Sequence, residues 1–315
     1  MTVEVILNPY AGRWNAKKRI HEVHAALHMA GIDYHLSLTE GPHHAIRLAA
    51  QAVHDGREAI IAAGGDGTIS EVVNGMAQAS IKRDNDAINV HLGIFALGSA
   101  NDFVVNLGLH RDVKMAAASF IPGKIRWIDL GRVAYPSADH HQVVSTCFFD
   151  NNSAVGLEPS ITLIQQKITF LHGTMRYLLA TLIGIIQHPK WDTHLEWDGG
   201  SYHGPTSLVT VGNNPLTGGL FYMTPHADPT DGQLTFVHGY MRTRLQTLRL
   251  LPRTMKPGTG SYVEHPDIHE VHSSWLRIRT EQATPLHADG EIQSHAVHEI
   301  EYTIYPKKLP ILIPS

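Results

Sequence analysis

Short apolar runs alternate with amphipathic helical patterns through residues 1–131, and this alternation restricts the possible folds more than any other feature. Runs such as VEVILN and EAIIAA are followed by segments such as NAKKRIHEVHAALHMAG and ISEVVNGMAQA. Such alternation is typical of βαβ units, in which a parallel sheet is covered by helices. We therefore predict an α/β N-terminal domain, a parallel sheet with flanking helices, over residues 1–131.

Residues 132–305 follow a different pattern. The runs SLVTVGNN, GQLTFVHGY, WLRIRTE and HEIEYTIYP are β-rich and are separated by Gly, Pro, Asn and Asp. This pattern predicts a mainly antiparallel β-sandwich domain. A helical insertion is expected near residues 161–187.

The composition fits a two-domain globular chain that does not bind nucleic acid. The 315 residues are 43% hydrophobic and 17% charged, with a net charge of −4, so no basic surface field is expected. The single cysteine, Cys147, excludes an internal disulfide and suits a reducing compartment. The N-terminus lacks a signal-peptide pattern, and the apolar run YLLATLIGII is too short to span a bilayer. We expect a cytoplasmic protein, peripheral to the inner face of the membrane.

The 23 histidines include the adjacent pairs His43–His44 and His140–His141. Adjacent residues of a helix or strand do not face one another, and no further metal-ligand spacing accompanies either pair. Surface histidines are therefore expected rather than a metal site.

The segment IIAAGGDGTISEVVNG places a glycine-rich turn between a strand and a helix. Gly64, Gly65 and Gly67 remove Cβ atoms that would keep a phosphate away, and they permit positive φ. A helix N-terminus favours phosphate. Asp66 is unsuited to direct phosphate contact and suits Mg²⁺ instead. The alternative is a tight turn whose glycines are needed for steric reasons alone.

Thr68 and Glu71 have the T-x-x-E spacing of a capping box. This spacing predicts that the helix after the turn begins at Thr68.

The GGDGT motif resembles that of the lipid kinases (diacylglycerol, sphingosine and ceramide kinases and their bacterial relatives) and of the NAD kinases. The opening LNPYAGRWNAKK resembles the lipid-kinase N-P-x-[SA]-G, which implies nucleotide contacts at Asn8 and Gly12. Tyr10 and Ala11 stand where relatives often carry hydroxyl residues. Thr39 matches a threonine-bearing second loop, with a helix cap as the alternative role.

The segment FALGSANDFVVNLGL resembles the family's P-x-G-T-x-N-D-F-A. The resemblance implies nucleotide-site roles for Gly98, Ser99, Asn101 and Asp102. Val105 replaces a frequent arginine, so one positive contact is missing.

Further motifs extend the resemblance through the second half of the chain. The stretches IRWIDLGRV, FFDNNSAVGLEP and NNPLTGGLFYMTPHADPTDG match family segments on Asp129, Asn151 with Gly156, and Asp231 with Gly232. The resemblance implies that Asp129 extends an acidic network and that the Asp231 turn holds a structural cation, with a plain D-G turn as the alternative for Asp231. Glu158 departs from the common F-D-A, and its role stays open.

The segment TPLHADGEIQS matches the family's D-G-E, which implies that Glu291 is the general base. Taken alone, a D-G before a strand is a hairpin turn. NAD kinases share GGDGT but neither this ending nor the G-G-…-P-x-A-…-D-G stretch, so the pattern favours the lipid-kinase branch.

The resemblance covers the chain from Asn8 to its end and implies an ATP-dependent lipid kinase with Mg²⁺, in which Asp66 and Glu291 are catalytic. It implies an NAD kinase-like nucleotide domain over residues 1–131, to which the tail 306–315 returns, and a lipid-substrate domain over residues 132–305. A membrane lipid is the expected acceptor, and the membrane surface and a second copy of the chain are the expected partners. The alternatives are a kinase of the NAD kinase type with a soluble substrate, or a non-catalytic nucleotide- or lipid-binding regulator.

Overall fold

The computed structural model describes residues 2–82, 86–120, 123–137, 143–171 and 173–314. The chain divides into two units, a first unit of Met1–Leu130 with Tyr305–Ser315 and a second unit of Gly131–Ile304. The pair His140–His141, for which surface positions are expected, lies outside the described residues.

Strands and helices alternate along the first unit. Its elements, with the strand that leads out of it, are β1 (Val3–Leu7), α1 (Asn15–Lys18), α2 (Ile20–Met29), β2 (Tyr34–Leu38), α3 (His44–His54), β3 (Ala59–Gly64), α4 (Asp66–Ser80), β4 (His91–Ala96), α5 (Asp102–Asn106), α6 (Val113–Ser119) and β5 (Lys124–Pro136).

The sheet of the first unit is parallel, in the order β2-β1-β3-β4. Every residue of β1 and of β3 is buried, as expected for parallel strands that are covered on both faces. The C-terminal tail of the chain adds a parallel pairing of Ile311 with Leu92 of β4. The predicted α/β architecture of the N-terminal half is therefore confirmed.

The second unit is mostly strands, with two helices inserted after its second complete strand. Its elements are β6 (Val144–Phe149), β7 (Asn152–Gly156), α7 (Leu157–Lys167), α8 (Gly173–Gln187), β8 (Trp191–Trp197), β9 (Gly200–Thr206), β10 (Leu208–Gly212), β11 (Leu216–Thr217), β12 (Phe221–Tyr222), β13 (Leu234–Gly239), α9 (Arg244–Leu250), β14 (Ile268–Ser273), β15 (Trp275–Ala288) and β16 (Glu291–Ile313), whose last residues belong to the first unit.

The strands of the second unit pair antiparallel in the order β14-β13-β10-β7-β15-β16, while β8 pairs with β15 and β9, and β5 pairs with β6. Alternate side chains of these strands form one apolar core that includes Phe149, Phe236 and Tyr302. The predicted antiparallel β-rich half is confirmed. Across the described part of the chain, no helix combines the length and the apolar character needed to cross a membrane.

Candidate active site

The predicted nucleotide-contacting loops all follow strands of the first-unit sheet. Asn8 follows β1, Thr39 follows β2, Gly65 follows β3, and Gly98 lies two residues after the end of β4. Because these strands are parallel, their carboxyl ends meet at one edge, where ligands bind in open α/β sheets. The fold thus gathers the four loops on one side of the first unit.

Asn8 joins the first loop to helix α4. Its Nδ2 donates to Thr68 Oγ1 at 3.0 Å, and its Oδ1 accepts from the Tyr10 backbone N–H at 2.9 Å. Thr68 is buried, so its hydroxyl serves this contact inside the loop assembly. Asn8 therefore fixes the position of the first loop against the glycine turn.

The glycines of the site allow two loops to touch through their backbones. A Cβ placed on Gly98 would lie 2.4 Å from Gly65 Cα, and a Cβ on Gly12 would lie 2.5 Å from the Leu97 carbonyl oxygen. None of Gly64, Gly65 and Gly67 has a positive φ, so the turn does not use the positive φ that glycine permits. Gly64 and Gly65 are needed for close approach, since a Cβ on Gly64 would lie 2.4 Å from Thr68 Cβ and a Cβ on Gly65 would lie 3.1 Å from Gly98 Cα.

Helix α4 begins at Asp66, with Gly65 at its N-cap. The prediction of a start at Thr68 with a T-x-x-E capping box is therefore wrong. The Glu71 carboxylate instead accepts the backbone N–H groups of His43 at 2.8 Å and Ala45 at 3.1 Å, at the start of α3. Because α4 begins two residues earlier than predicted, Glu71 lies beyond its first turn and caps a neighbouring helix.

Asp66 connects the start of α4 to the start of α5. Its Oδ2 accepts the Asn101 N–H at 2.8 Å, and its Oδ1 accepts the Phe103 N–H at 3.2 Å. Burial raises the pKa of Asp66, and these backbone hydrogen bonds partly oppose the rise. The backbone N–H groups of Asp66 itself and of Asp102 also stabilise this carboxylate.

The Asp66 carboxylate fits a magnesium ion that is bound together with the phosphates of a nucleotide. No group of three or more His, Cys, Asp or Glu side chains suited to a metal gathers anywhere in the described residues. Mg²⁺ is usually held by one or two carboxylates together with phosphate oxygens and water, so such a cluster is not required. A site formed by Asp66 and phosphate oxygens agrees with this chemistry, whereas an all-protein cage does not.

The loop after β4 is closed by Asn101, which has a positive φ of 55°. Its Oδ1 accepts from the Gly98 N–H and its Nδ2 donates to the Gly98 carbonyl, both at 3.1 Å. Ser99 is exposed on this loop. Asn101 is therefore a loop-closing residue, and Ser99 is the hydroxyl that remains accessible.

Arg111 is a residue of this site that sequence reasoning missed. Its guanidinium donates to the Ala100 carbonyl at 3.2 Å, beside the loop that follows β4. Val105, which replaces the family's arginine, is 40% exposed on α5. In the sequence, Arg111 lies six residues after Val105, and only the fold brings it to the loop that follows β4.

The remaining predicted acidic and polar residues of the first unit are buried. Asp129 is fully buried, and its Oδ1 accepts the Lys307 N–H at 2.7 Å, which ties the C-terminal tail to this unit. Asp102 is buried as the first residue of α5, and Thr39 is buried with its backbone N–H bound to the Leu7 carbonyl. Asp129 thus has a clear structural partner.

The Asp-Gly-Glu segment forms the hairpin between β15 and β16. Asp289 and Gly290 have φ values of 46° and 81°, and Ala288 pairs with Glu291 across the turn. Two successive positive φ angles are typical of a type I′ hairpin, which explains the Asp-Gly pair. Glu291 is exposed directly after the turn.

Asp289 also holds the chain segment before β7. Its Oδ2 accepts the Asp150 N–H at 3.1 Å, and its Oδ1 accepts the N–H groups of Asn151 and Asn152, each at 3.0 Å. The amide of Asn151 donates in turn to the Leu216 carbonyl at 3.0 Å. The aspartate of the motif therefore has a structural function that the sequence analysis did not assign.

Asp231 lies in an exposed turn before β13. Its Oδ1 accepts the Gln233 N–H at 2.8 Å, and Gly232 has a φ of 77°. This geometry explains the Asp-Gly pair as a turn. A cation at Asp231 stays a prediction.

The glycine-lined loops at the carboxyl edge of a parallel sheet, together with the antiparallel unit, define the class of kinases with an NAD kinase-like fold. Residues 2–133 match the family model described as diacylglycerol kinase catalytic domain. Residues 152–313 match the model described as YegS C-terminal NAD kinase beta sandwich-like domain. The chain belongs to this diacylglycerol kinase-like family, as its motifs predict.

Known proteins resemble the chain over nearly its whole length. A diacylglycerol kinase of Mycobacterium tuberculosis (strain ATCC 25618 / H37Rv) is 27% identical over 314 residues, covering 99% of this chain and 95% of the relative. A crystal structure of a diacylglycerol kinase from Bacillus anthracis str. Sterne matches with a TM-score of 0.72 and 19% identity, over 99% of this chain and 96% of the other. Yeast NADH kinase complexed with NADH matches with a TM-score of 0.51 and 11% identity, over 100% of this chain and 84% of the other. These two structures show the fold alone, and they confirm the predicted NAD kinase-like architecture.

Proposed function

We propose that the protein is an ATP-dependent lipid kinase that transfers the γ-phosphate of ATP to a hydroxyl of a membrane lipid such as diacylglycerol. The observation that carries this proposal is the glycine-lined loop assembly built around Asp66 at the carboxyl edge of the first-unit sheet. The names of the relatives support diacylglycerol as the acceptor. The acidic turn at Glu291 supports phosphate transfer over mere nucleotide binding.

The phosphates of ATP would lie against the backbone of residues 64–68 and 98–101. The N-terminus of the 15-residue helix α4 favours negative charge at this position. Arg111 would supply the positive charge that Val105 lacks, because its guanidinium lies beside the second of these loops. Asp66 would hold Mg²⁺, which supplies neutralisation of the charge on the phosphate oxygens.

In the transfer step, the acceptor oxygen forms a bond to the γ-phosphorus while the bond between that phosphorus and the β–γ bridging oxygen breaks, and ADP leaves. Glu291 would accept the proton of the acceptor hydroxyl. Its carboxylate is exposed after a rigid two-residue turn, a position from which a base can reach a substrate. Removal of a general base costs on the order of 10²–10⁴-fold in rate.

The acceptor would come from the membrane through contact with helix α8. Met175, Leu182 and Ile186 are 63%, 40% and 56% exposed, and their spacing places them along one face of the helix. Phe170, just before α8, is 73% exposed. Since a helix that is apolar on all sides is normally buried, this exposed face suits a bilayer surface.

The kinase proposal is tested by transfer from [γ-³²P]ATP with Mg²⁺ into mixed micelles of a lipid panel, with NAD as a soluble acceptor. We expect a labelled lipid that disappears in Glu291→Gln and Asp66→Ala but persists in the control Glu299→Gln, an exposed carboxylate of the same strand. Labelled NAD phosphate would instead support a soluble-substrate kinase. ATP binding without any labelled product would support a regulator.

The membrane proposal is tested by flotation with liposomes. We expect Leu182→Asp/Ile186→Asp to reduce flotation several-fold because two charges replace exposed apolar contacts. Met115→Asp, at a 55% exposed apolar position of α6, is the matched control and should float like the wild type. Equal flotation of all three folded proteins would contradict a membrane-binding face on α8.

A further inference from the structure

Two aromatic side chains are exposed together on the loop that follows β1. Trp14 is 60% exposed, more than any other tryptophan of the chain, and Tyr10 is 44% exposed. Their rings lie edge to face, with centroids 4.5 Å apart and ring planes at 79°. A single exposed aromatic residue is common at a protein surface, whereas an ordered pair presents a fixed flat face on which another ring can stack.

The backbone that carries Trp14 is strained. Gly12, Arg13 and Trp14 have successive φ values of 57°, 59° and 69°. Glycine adopts a positive φ readily, but for a bulky residue such as tryptophan this conformation is rare. The backbone N–H of Trp14 donates to the Tyr10 carbonyl at 3.1 Å, which holds the two residues in one turn. Strain of this kind persists where surrounding contacts enforce it and is concentrated in segments that bind ligands.

The loop after β1 is attached to both of the loops that are proposed to bind phosphates. Asn8 joins it to Thr68 through a side-chain hydrogen bond. A Cβ on Gly12 would lie 2.5 Å from the Leu97 carbonyl oxygen, so the loop also lies directly against the segment that leads to Gly98. The aromatic pair is therefore carried by a segment that borders the proposed position of the phosphates.

The segment that carries the aromatic pair is basic. Arg13, Lys17 and Lys18 are exposed on it, and no Asp or Glu occurs between Glu4 and Glu22. Aromatic faces bind nucleobases by stacking, and Lys and Arg bind phosphates, so a segment with both suits a nucleotide. Aromatic and basic residues also occur together at membrane surfaces, but attachment to the glycine-lined loops favours the nucleotide.

We infer that the Trp14 indole stacks on the purine base of the nucleotide whose phosphates lie against the glycine-lined loops. The inference rests on the proposed function in taking this nucleotide as ATP. Tyr10 is a positioning residue, because its ring contacts the indole edge to face and holds it in place. Stacking supplies affinity for the base without reading its hydrogen-bonding edge. Trp14 therefore distinguishes a nucleotide from an inorganic polyphosphate.

The test is calorimetric titration with ATP and with inorganic tripolyphosphate, which has the phosphates but no base. Trp14→Asn removes the ring and introduces a residue that tolerates a positive φ. We expect it to weaken ATP binding by about 5- to 150-fold, the effect of losing one stacked base, and to leave tripolyphosphate binding unchanged. Trp14→Phe should restore most of the ATP affinity. The control Trp127→Asn, at an exposed position of β5, should bind both ligands like the wild type.

Tryptophan fluorescence gives a second readout, which a structural role of Trp14 would not change. ATP should quench the emission of the wild type because the base contacts an indole, and tripolyphosphate should not. Trp14→Phe should lose this quenching while it still binds ATP. Tyr10→Phe should keep it, since the edge-to-face contact needs only the ring.

Unchanged ATP affinity in Trp14→Asn would overturn the inference. An equal loss of affinity for ATP and tripolyphosphate would also overturn it, because Trp14 would then support the phosphate loops alone. Reduced flotation of Trp14→Asn with liposomes, at unchanged ATP affinity, would assign the aromatic pair to a membrane surface instead. Failure of the wild type to bind ATP would refute the proposed nucleotide site together with the stacking, whereas ATP binding that does not depend on Trp14 would refute the stacking alone.

Discussion

The contact between Gly98 and Gly65 gives the sharpest test of how the nucleotide loops are built. In Gly98→Ala, the added Cβ would lie 2.4 Å from Gly65 Cα and 2.7 Å from Asn101 Oδ1. Neither neighbouring atom can move aside without a cost in free energy. The Gly65 Cα belongs to the backbone, and the Asn101 side chain makes two hydrogen bonds with Gly98. The loop after β4 must therefore move away from the glycine turn.

The cost has two parts. Overpacking of a well-packed site costs about 1–3 kcal/mol. Loss of one of the Asn101 hydrogen bonds adds about 1 kcal/mol. We therefore expect a decrease of about 2–4 kcal/mol in the free energy of unfolding, with weaker ATP binding because the two loops no longer form one surface.

The assays are urea unfolding and calorimetric titration with ATP, with Gly41→Ala as the control. Gly41 has no positive φ, and nothing lies within 4 Å of a Cβ placed there. A surface substitution of this kind should change stability by less than about 0.5 kcal/mol. If Gly98→Ala behaves like Gly41→Ala in both assays, backbone contact between the loops is not what the glycines provide.

Two further predictions concern pH and are measured by urea unfolding across a pH series. Burial raises the pKa of Asp66 in the folded protein above its ordinary value of about 3.9. Its contribution to the free energy of unfolding is therefore fully present below that ordinary value and is lost as pH rises through the folded-state pKa. Asp66→Asn should remove this loss, and an unchanged profile would contradict it. Burial, with the charge of His269, lowers the pKa of His238 to about 4. The free energy of unfolding of the wild type should then decrease by about 3 kcal/mol as pH falls from about 6.5 to 4. His238→Phe should abolish that decrease. An equally steep pH profile in the variant would refute the assignment to His238.

The positions of the nucleotide loops could be predicted because they depend on local patterns. A run of buried residues followed by a polar or glycine residue and a helix pattern fixes where each parallel strand ends. Asn8, Gly65 and Gly98 satisfy that rule, whereas Thr39 follows β2, whose residues are only partly buried or exposed. The parallel sheet then brings all four to one edge. Here local sequence and tertiary structure agree, so the sequence pattern was sufficient to predict where the nucleotide loops lie.

The partners of the Glu71 and Asp129 carboxylates could not be predicted in the same way. Glu71 has the spacing of a capping box, but any pair of unpaired N–H groups satisfies a carboxylate, and the start of α3 supplies them. Asp129 bonds to Lys307, which lies 178 residues further along the chain. A carboxylate in a sequence indicates only that hydrogen-bond donors are needed. The packing of distant segments decides which donors lie beside it.

The Asp-Gly-Glu segment shows why two interpretations that compete in a sequence are compatible in a structure. Asp289 fixes three successive N–H groups, and Gly290 adopts the positive φ that closes the hairpin. Glu291 takes no part in those contacts and is exposed at the first position of β16. Because the turn needs only the first two residues, the third is left available for chemistry on a support that is already rigid. The hairpin turn and the proposed role of Glu291 as general base are therefore compatible.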